Sequence, residues 1–356
     1  MLPPLFSDLQ DAARDGPVIV LIVSKSPCNA IIIPRHHSPV SVPLATNVEK
    51  VKRLVNTLQW IVRQGAEEAQ AKLIGILREL WVDVVCPVVE HLGRFAPPGS
   101  RIWWCPTSGF NFLPLHAAGE YRQGGKNLSQ LYISSYTPSL TALIRARERH
   151  DRSQPIPFAA IGQNHPPGYP SPLPSVEPEL ELVQSLLPPA PTVSFTKITS
   201  IESTKSRALG TLRDNHWLHF ACHGIQNAAE PFKSAFLMRD EPLTLLDIMQ
   251  TDLSRHEFAF LSACETAVGD FKTPDEVIHL AGALQFAGVK SVIGTFWSVD
   301  DSTVRRLVEA FYRNLCGDGK MIPKRAARAL HMAVQSLAND KDIALDQRIV
   351  FMHVGI

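Results

Sequence analysis

The chain is short of cysteine, of long apolar runs and of net charge, and each shortage excludes something. Its six cysteines, at 28, 86, 105, 222, 264 and 316, include no Cys-X-X-Cys pair. Spacing so sparse is not a disulfide framework and fits a reducing compartment. Lysine plus arginine number 35 against 34 for aspartate plus glutamate, a net charge of +1, and no block of five like charges occurs. There is no basic arm for nucleic acid or an anionic membrane surface, and no acidic tail. The first apolar run, Val18 to Val23, is far short of the ~20 residues that span a bilayer. It follows Asp8, Asp11 and Asp15, where a secretory leader needs basic residues. The expectation is a soluble, cytoplasmic chain that partners neither membrane nor nucleic acid.

What is present is an ordinary globular composition: 356 residues, 45% hydrophobic and 19% charged, ample for one large or two modest cores. The 28 prolines concentrate between 155 and 191, in "PPGYPSPLP" and "LPPAP". They predict a stiff, exposed loop, with a loop cut during maturation as the lesser alternative. Near the start, VIVLIV (18–23) and AIII (30–33) read as a hairpin. Apolar spacing over 47–64 and 66–92 predicts two helices, and RIWWCP (101–106) predicts a strand. Strands are then expected at 131–135, 157–162, 192–198, 216–221, 257–262 and 290–295. Helices are expected at 138–150, 175–187, 201–213, 243–250 and 275–287. That alternation predicts an α/β fold, a mostly parallel sheet with helices on both faces. Helices over about 301–315 and 322–338 and a final strand in RIVFMHVGI complete it. Two parts are expected: 1–95, a β-hairpin plus helical hairpin, and 100–356, the main α/β domain.

Ligands of open parallel sheets bind beyond the carboxyl ends of the strands, and two of these strands end in reactive residues. HWLHFACHG ends in Cys222, His223 and Gly224; EFAFLSAC ends in Cys264. Strand alternation puts Trp217, His219, Ala221 and His223 on one face and Leu218, Phe220 and Cys222 on the other, so Cys222 is expected in the core. If the strands are neighbours, the His223 imidazole can take the Cys264 thiol proton, and the thiolate is the nucleophile. Backbone N–H groups of Gly224 and Cys264 are then natural oxyanion donors. Taken singly, a solvated histidine and a buried cysteine are the plainer reading. Zinc on His219, Cys222, His223 and Cys264 fails on geometry. The pleat turns Cys222 away from His223, and His219 lies roughly 13 Å along the strand from His223. No metal and no cofactor are expected. His116 in LPLHAAG is expected to anchor its loop. Asp275 or Glu276, at the start of the 275–287 helix, is placed to touch the Cys264 loop.

At these residues the sequence resembles the CHAT family, caspase-like domains commonly found behind tetratricopeptide repeats, and in particular its fungal members. The motifs are WWCPTSGFNFLPLHAAGEY (103–121), HFACHGIQN (219–227), LSACETAVGD (261–270), DEVIHLAGALQFAGVKSVIGTFWSVDD (275–301) and DQRIVFMHVGI (346–356). The resemblance implies a caspase/separase-type three-layer sandwich and a cysteine endopeptidase whose dyad is His223 and Cys264. Residues 1–95 would be the pseudo-caspase-like part of the CHAT region. FWSVDD resembles a separase segment whose acid shapes the pocket for the residue before the scissile bond. That implies Asp301, or else Asp300, selecting a basic side chain, although either aspartate also suits the N-cap of the next helix. Trp297 is expected to line the pocket or simply to pack. The partner implied is a protein or peptide substrate, with a tetratricopeptide-repeat region, not found in this sequence, as a further one. Two other readings stand beside it: a non-proteolytic scaffold in signalling, and another thiol hydrolase or acyl transferase.

Overall fold

The structure, a computed structural model, describes residues 5–25, 27–64, 67–148, 155–169, 172–227, 230–262, 280–338, 340 and 342–356. They form two compact units, one from the described part of Met1–Arg145 with Ala344–Ile349, the other from that of 146–343 with Val350–Ile356.

In the first unit a short helix α1 (Phe6–Gln10) precedes β1 (Val18–Ile22), β2 (Asn29–Ile33) and β3 (Val40–Pro43). The β-branched runs of β1 and β2 pair as the expected antiparallel hairpin, Val20 opposite Ile31. α2 (Val48–Gln64) follows. The single helix predicted over 66–92 is broken: α3 (Glu67–Leu80) runs into a π-helical turn, Trp81–Val85, and resumes as α4 (Cys86–Leu92). Pro87 accounts for the break, because it has no N–H to return to the Asp83 carbonyl four residues back. That carbonyl accepts from the Ala45 N–H at 3.1 Å instead. β4 (Arg101–Pro106) follows, then α5 (Leu128–Leu131), β5 (Ile133–Tyr136) and α6 (Leu140–Ala146). The strand expected from 131 starts two residues later because Leu131 closes the α5 turn, where the Asn127 N–H donates to Gln130 Oε1 at 3.0 Å. The strands order as β3-β2-β1-β4-β5. The division expected at 95–100 falls inside this unit. β4 bonds in parallel to both β1 and β5, so 101–106 cannot part from the hairpin without losing two ladders.

The second unit is the alternation read from the sequence. β6 (Ile156–Gly162), α7 (Val176–Leu186), β7 (Val193–Ile198), α8 (Lys205–Asp214) and β8 (Trp217–Ala221) come first. A small antiparallel sheet follows, β9 (Gly224–Ile225), β10 (Ala235–Phe236) and β11 (Leu243–Thr244). Then come α9 (Leu245–Met249), β12 (Phe258–Ser262), α10 (Leu280–Phe286), β13 (Ser291–Thr295), α11 (Asp301–Cys316) and α12 (Ala326–Leu337). α13 (Leu345–Ile349) belongs to the first unit, and β14 (Phe351–Gly355) closes the second. The strand order is β14-β13-β12-β8-β6-β7, parallel throughout except for β14.

Every residue of β8 is buried, as expected for a central parallel strand covered on both faces. One face meets α11, whose stripe Val304, Leu307, Val308, Phe311, Tyr312 and Leu315 recurs at three- and four-residue steps. Phe311 stacks on Phe258 at 5.7 Å and tilts against Phe260 at 5.2 Å. On the other face Phe220 stacks on Phe236 of β10 at 4.6 Å. This packing fixes where β8 and β12 end, and so positions the site.

Candidate active site

β8 and β12 are parallel neighbours, paired from Trp217 opposite Phe258 to Ala221 opposite Ser262. The chain therefore leaves both strands at one level of one edge. Just beyond Ala221, Cys222 is 1% exposed and His223 8% exposed. Cys264, two residues past Ser262 in sequence, lies outside the described residues, as do Asp275 and Glu276.

His223 is held from its backbone by the small sheet, because the Leu237 N–H donates to its carbonyl at 2.8 Å. That bond sets the alternation of the antiparallel ladder: Phe236 and Gly224 are opposite each other and form a non-hydrogen-bonded pair. The Gly224 N–H is thus directed away from β10, available to a group outside the ladder.

A pocket opens at this edge. Ala221, His223 and Ser262 line it from the strands, Leu173 and Glu179 from the loop after β6 and from α7, and Asp301 from the first residue of α11. The Asp301 carboxylate, half-buried, has no hydrogen-bond or ion-pair partner among the described residues. Asp300 is exposed and takes the N-cap position, its carbonyl accepting from the Val304 N–H at 3.0 Å. Trp297 is 6% exposed, lies against Phe296 at 5.9 Å and is not among the residues lining this pocket.

His219 is wholly buried, four residues back from His223 along the chain. Its Nε2 faces Glu179 Oε1 at 2.7 Å and its Nδ1 faces the Tyr312 hydroxyl at 3.0 Å. A carboxylate only accepts, so Nε2 carries the proton and Nδ1 accepts from Tyr312. Burial holds that phenol well above its ordinary range, which keeps it a donor. Both ring nitrogens of His219 are therefore engaged. Among the described residues no group of three histidine, cysteine or acidic side chains is placed to hold a metal ion.

His116, in the first unit, is a loop anchor. Its Nε2–H donates to the Ile349 carbonyl at 2.9 Å, and its Nδ1 accepts from the Tyr136 hydroxyl at 2.9 Å. Burial pushes the ring down to about 4, so it stays neutral.

Two neighbours of the pocket were not singled out from the sequence. Glu179 sits inside the predicted 175–187 helix with nothing local to mark it. Tyr169 lies in the proline-rich loop, its ring centroid 4.3 Å from that of His223. The stiff loop that carries it was legible in its prolines, but its destination was not.

A model of the CHAT domain matches residues 75–351. No curated protein matches the chain in sequence. Among solved structures, the Saccharomyces cerevisiae separase–securin complex aligns with TM-score 0.65 at 10% identity, over 98% of this chain and 30% of that one. The Arg-specific cysteine proteinase gingipain R aligns with TM-score 0.52 at 13% identity, over 96% of this chain and 77% of that one. The complex of Porphyromonas gingivalis RgpB pro- and mature domains aligns with TM-score 0.51 at 13% identity, covering 96% and 78%. The fold, α/β with a mostly parallel sheet flanked by helices, is the caspase-like one of these proteinases, and the chain spans about a third of the separase length.

Proposed function

This chain belongs to the CHAT domain family, and from that premise we propose that it is a cysteine endopeptidase working through His223 and Cys264. The observation that carries the reading is the register of β8 and β12: Ala221 opposite Ser262, with His223 over the pocket at that edge. Two peptide units separate Ser262 from Cys264, so their Cα atoms are within about 7 Å. The same two-residue step separates Ala221 from His223, and the two strands are adjacent, which is what supports the pairing.

The chemistry then runs as acyl transfer. The His223 imidazole accepts the Cys264 thiol proton and the thiolate attacks the peptide carbonyl carbon. As the C–S bond forms, the carbonyl π electrons move onto oxygen, where the N–H groups of Gly224 and Cys264 receive them. Collapse expels the amine, which takes the proton from the imidazolium. Water, deprotonated by the same ring, displaces the thiolate and releases the acid. Asp301 selects a basic side chain before the scissile bond. In support, its carboxylate opens onto the pocket without an internal partner among the described residues, and gingipain R, of like fold, is Arg-specific. Asp300 and Trp297 are the lesser candidates, one exposed at the helix cap and the other buried beside Phe296. Sparse cysteines, not disulfide-bonded where described, support a reducing surrounding such as the cytoplasm, and a protein partner would gate the thiolate, as separase is found bound to securin.

A peptide library ending in lysine or arginine at the position before the cleaved bond tests this. Cys264→Ala and His223→Ala are each expected to lower kcat/KM by roughly a thousandfold or more. Asp301→Asn is expected to lower kcat/KM on arginyl peptides more than about tenfold, for loss of a desolvated charge pair, with little change on uncharged ones. Cleavage that survives Cys264→Ala would refute the assignment. A binding partner captured equally by wild type and Cys264→Ala, with no cleavage by either, would favour a scaffold instead.

A further inference from the structure

The loop between β6 and α7 does more than join them. Its sequence Pro166-Pro167-Gly168-Tyr169 satisfies the demands of a type II turn: proline at the second position fixes φ, and glycine at the third supplies φ > 0. Gly168 has φ of +77°, and the Tyr169 N–H donates to the Pro166 carbonyl at 3.2 Å. The turn is tethered before it, where Gln163, 1% exposed, donates from its side chain to the Ser200 carbonyl at 3.0 Å and accepts from the His165 N–H at 3.1 Å. It is tethered after it, where the Leu173 N–H donates to the Asn164 carbonyl at 2.7 Å. Leu173 then lines the pocket.

The turn delivers Tyr169 onto His223, ring centroids 4.3 Å apart and planes at 47°. The contact covers one side of an imidazole that is only 8% exposed. Among the described residues the Tyr169 hydroxyl has no hydrogen-bond partner, so the ring face is what the contact uses.

We propose that Tyr169 is a positioning residue: its ring, set by the PPGY turn, holds the His223 imidazole in one orientation, the one that its proton exchange with Cys264 requires. This rests on the His223–Cys264 reading. A misplacement of about 1 Å in a reacting group costs up to a hundredfold in rate, and a ring lying against one side of the imidazole removes the rotamers that would turn it away. The two prolines stiffen the device, since their fixed φ leaves less chain entropy to lose, and glycine supplies the positive φ that the turn requires.

The experiment measures the rate of Cys264 alkylation by iodoacetamide from pH 5 to 9 on the full chain, read at the Cys264 peptide by mass spectrometry, for wild type, Tyr169→Phe and Tyr169→Ala. A thiol paired with a well-placed imidazole reacts below the free-thiol range of about 8.5. Wild type and Tyr169→Phe are expected to share that profile, and Tyr169→Ala to react roughly tenfold more slowly at pH 6. In parallel, NMR of the His223 ring protons, assigned with His223→Gln, should show Tyr169→Ala losing a ring-current displacement that Tyr169→Phe keeps. A Tyr169→Ala profile superposed on wild type, with the variant folded, overturns the proposal. A wild-type Cys264 that titrates as an ordinary thiol instead overturns the dyad itself, and is recognised because it appears before any substitution.

Discussion

His116 is a histidine whose protonation state is fixed by its partners. The Ile349 carbonyl can only accept, so the ring must donate from Nε2, and burial pushes it down to about 4. An unfolded imidazole titrates near 6.5, so between these values the unfolded chain binds a proton that the folded chain refuses. Stability is therefore full above about pH 6.5 and is lost as the pH falls toward 4, by on the order of 3 kcal/mol for a shift of this size. His256 in the second unit, also pushed to about 4 by burial, adds to the same loss. Urea denaturation between pH 7 and 4.5 should show the slope, and His116→Gln should remove its share of it. An unchanged slope in that variant would mean the ring is not held neutral. The contrast with His223 lies in place rather than residue type. His116 is locked between two polar partners, whereas His223 lines a pocket at the end of β8, beside β12.

Among the elements, α10 shows how a helix end is written into the chain. After Phe286 the Gly288 N–H donates to the Gln285 carbonyl at 3.1 Å and the Val289 N–H to the Leu284 carbonyl at 2.9 Å. This is the Schellman pattern with glycine at C′, and buried Leu284 and Val289 supply its apolar contact. Gly288 has φ of +121°, and a Cβ there would lie 2.5 Å from Ser254 Cα. Gly288→Ala is expected to cost about 2 kcal/mol or more, from backbone strain and the collision together. A melting temperature within a degree of wild type would contradict that. Phe311→Ala on α11 should cost about 3–5 kcal/mol by denaturant unfolding, because the ring is fully buried between Phe258 and Phe260. Elements of this kind were legible: the α11 stripe and the β-rich runs carry their own periodicity, while β8 beside β12 stood only as a condition, which the register meets. What was not legible depends on partners distant in sequence. Nothing near Pro87 announces that Ala45 will take the Asp83 carbonyl, and nothing in PPGY names His223 as the ring it will meet.

The scale of the whole molecule decides how a substrate arrives. With 35 basic and 34 acidic residues, the chain has almost no net field to draw a charged peptide from a distance, so association should run at an ordinary, unsteered rate. Any preference for a basic side chain must then come from the pocket alone, where Asp301 stands at the start of α11. These two sources respond differently to salt. Long-range steering fades once the Debye length drops to a few ångströms, while a partly buried pair is screened much less. Raising sodium chloride from 50 to 500 mM is therefore expected to lower kcat/KM on an arginyl peptide by less than about threefold. The ratio of arginyl to uncharged cleavage should stay nearly constant over that range and collapse in Asp301→Asn. A steep fall of wild-type kcat/KM with salt, shared by Asp301→Asn, would place the selection on the outer surface and remove Asp301 from it.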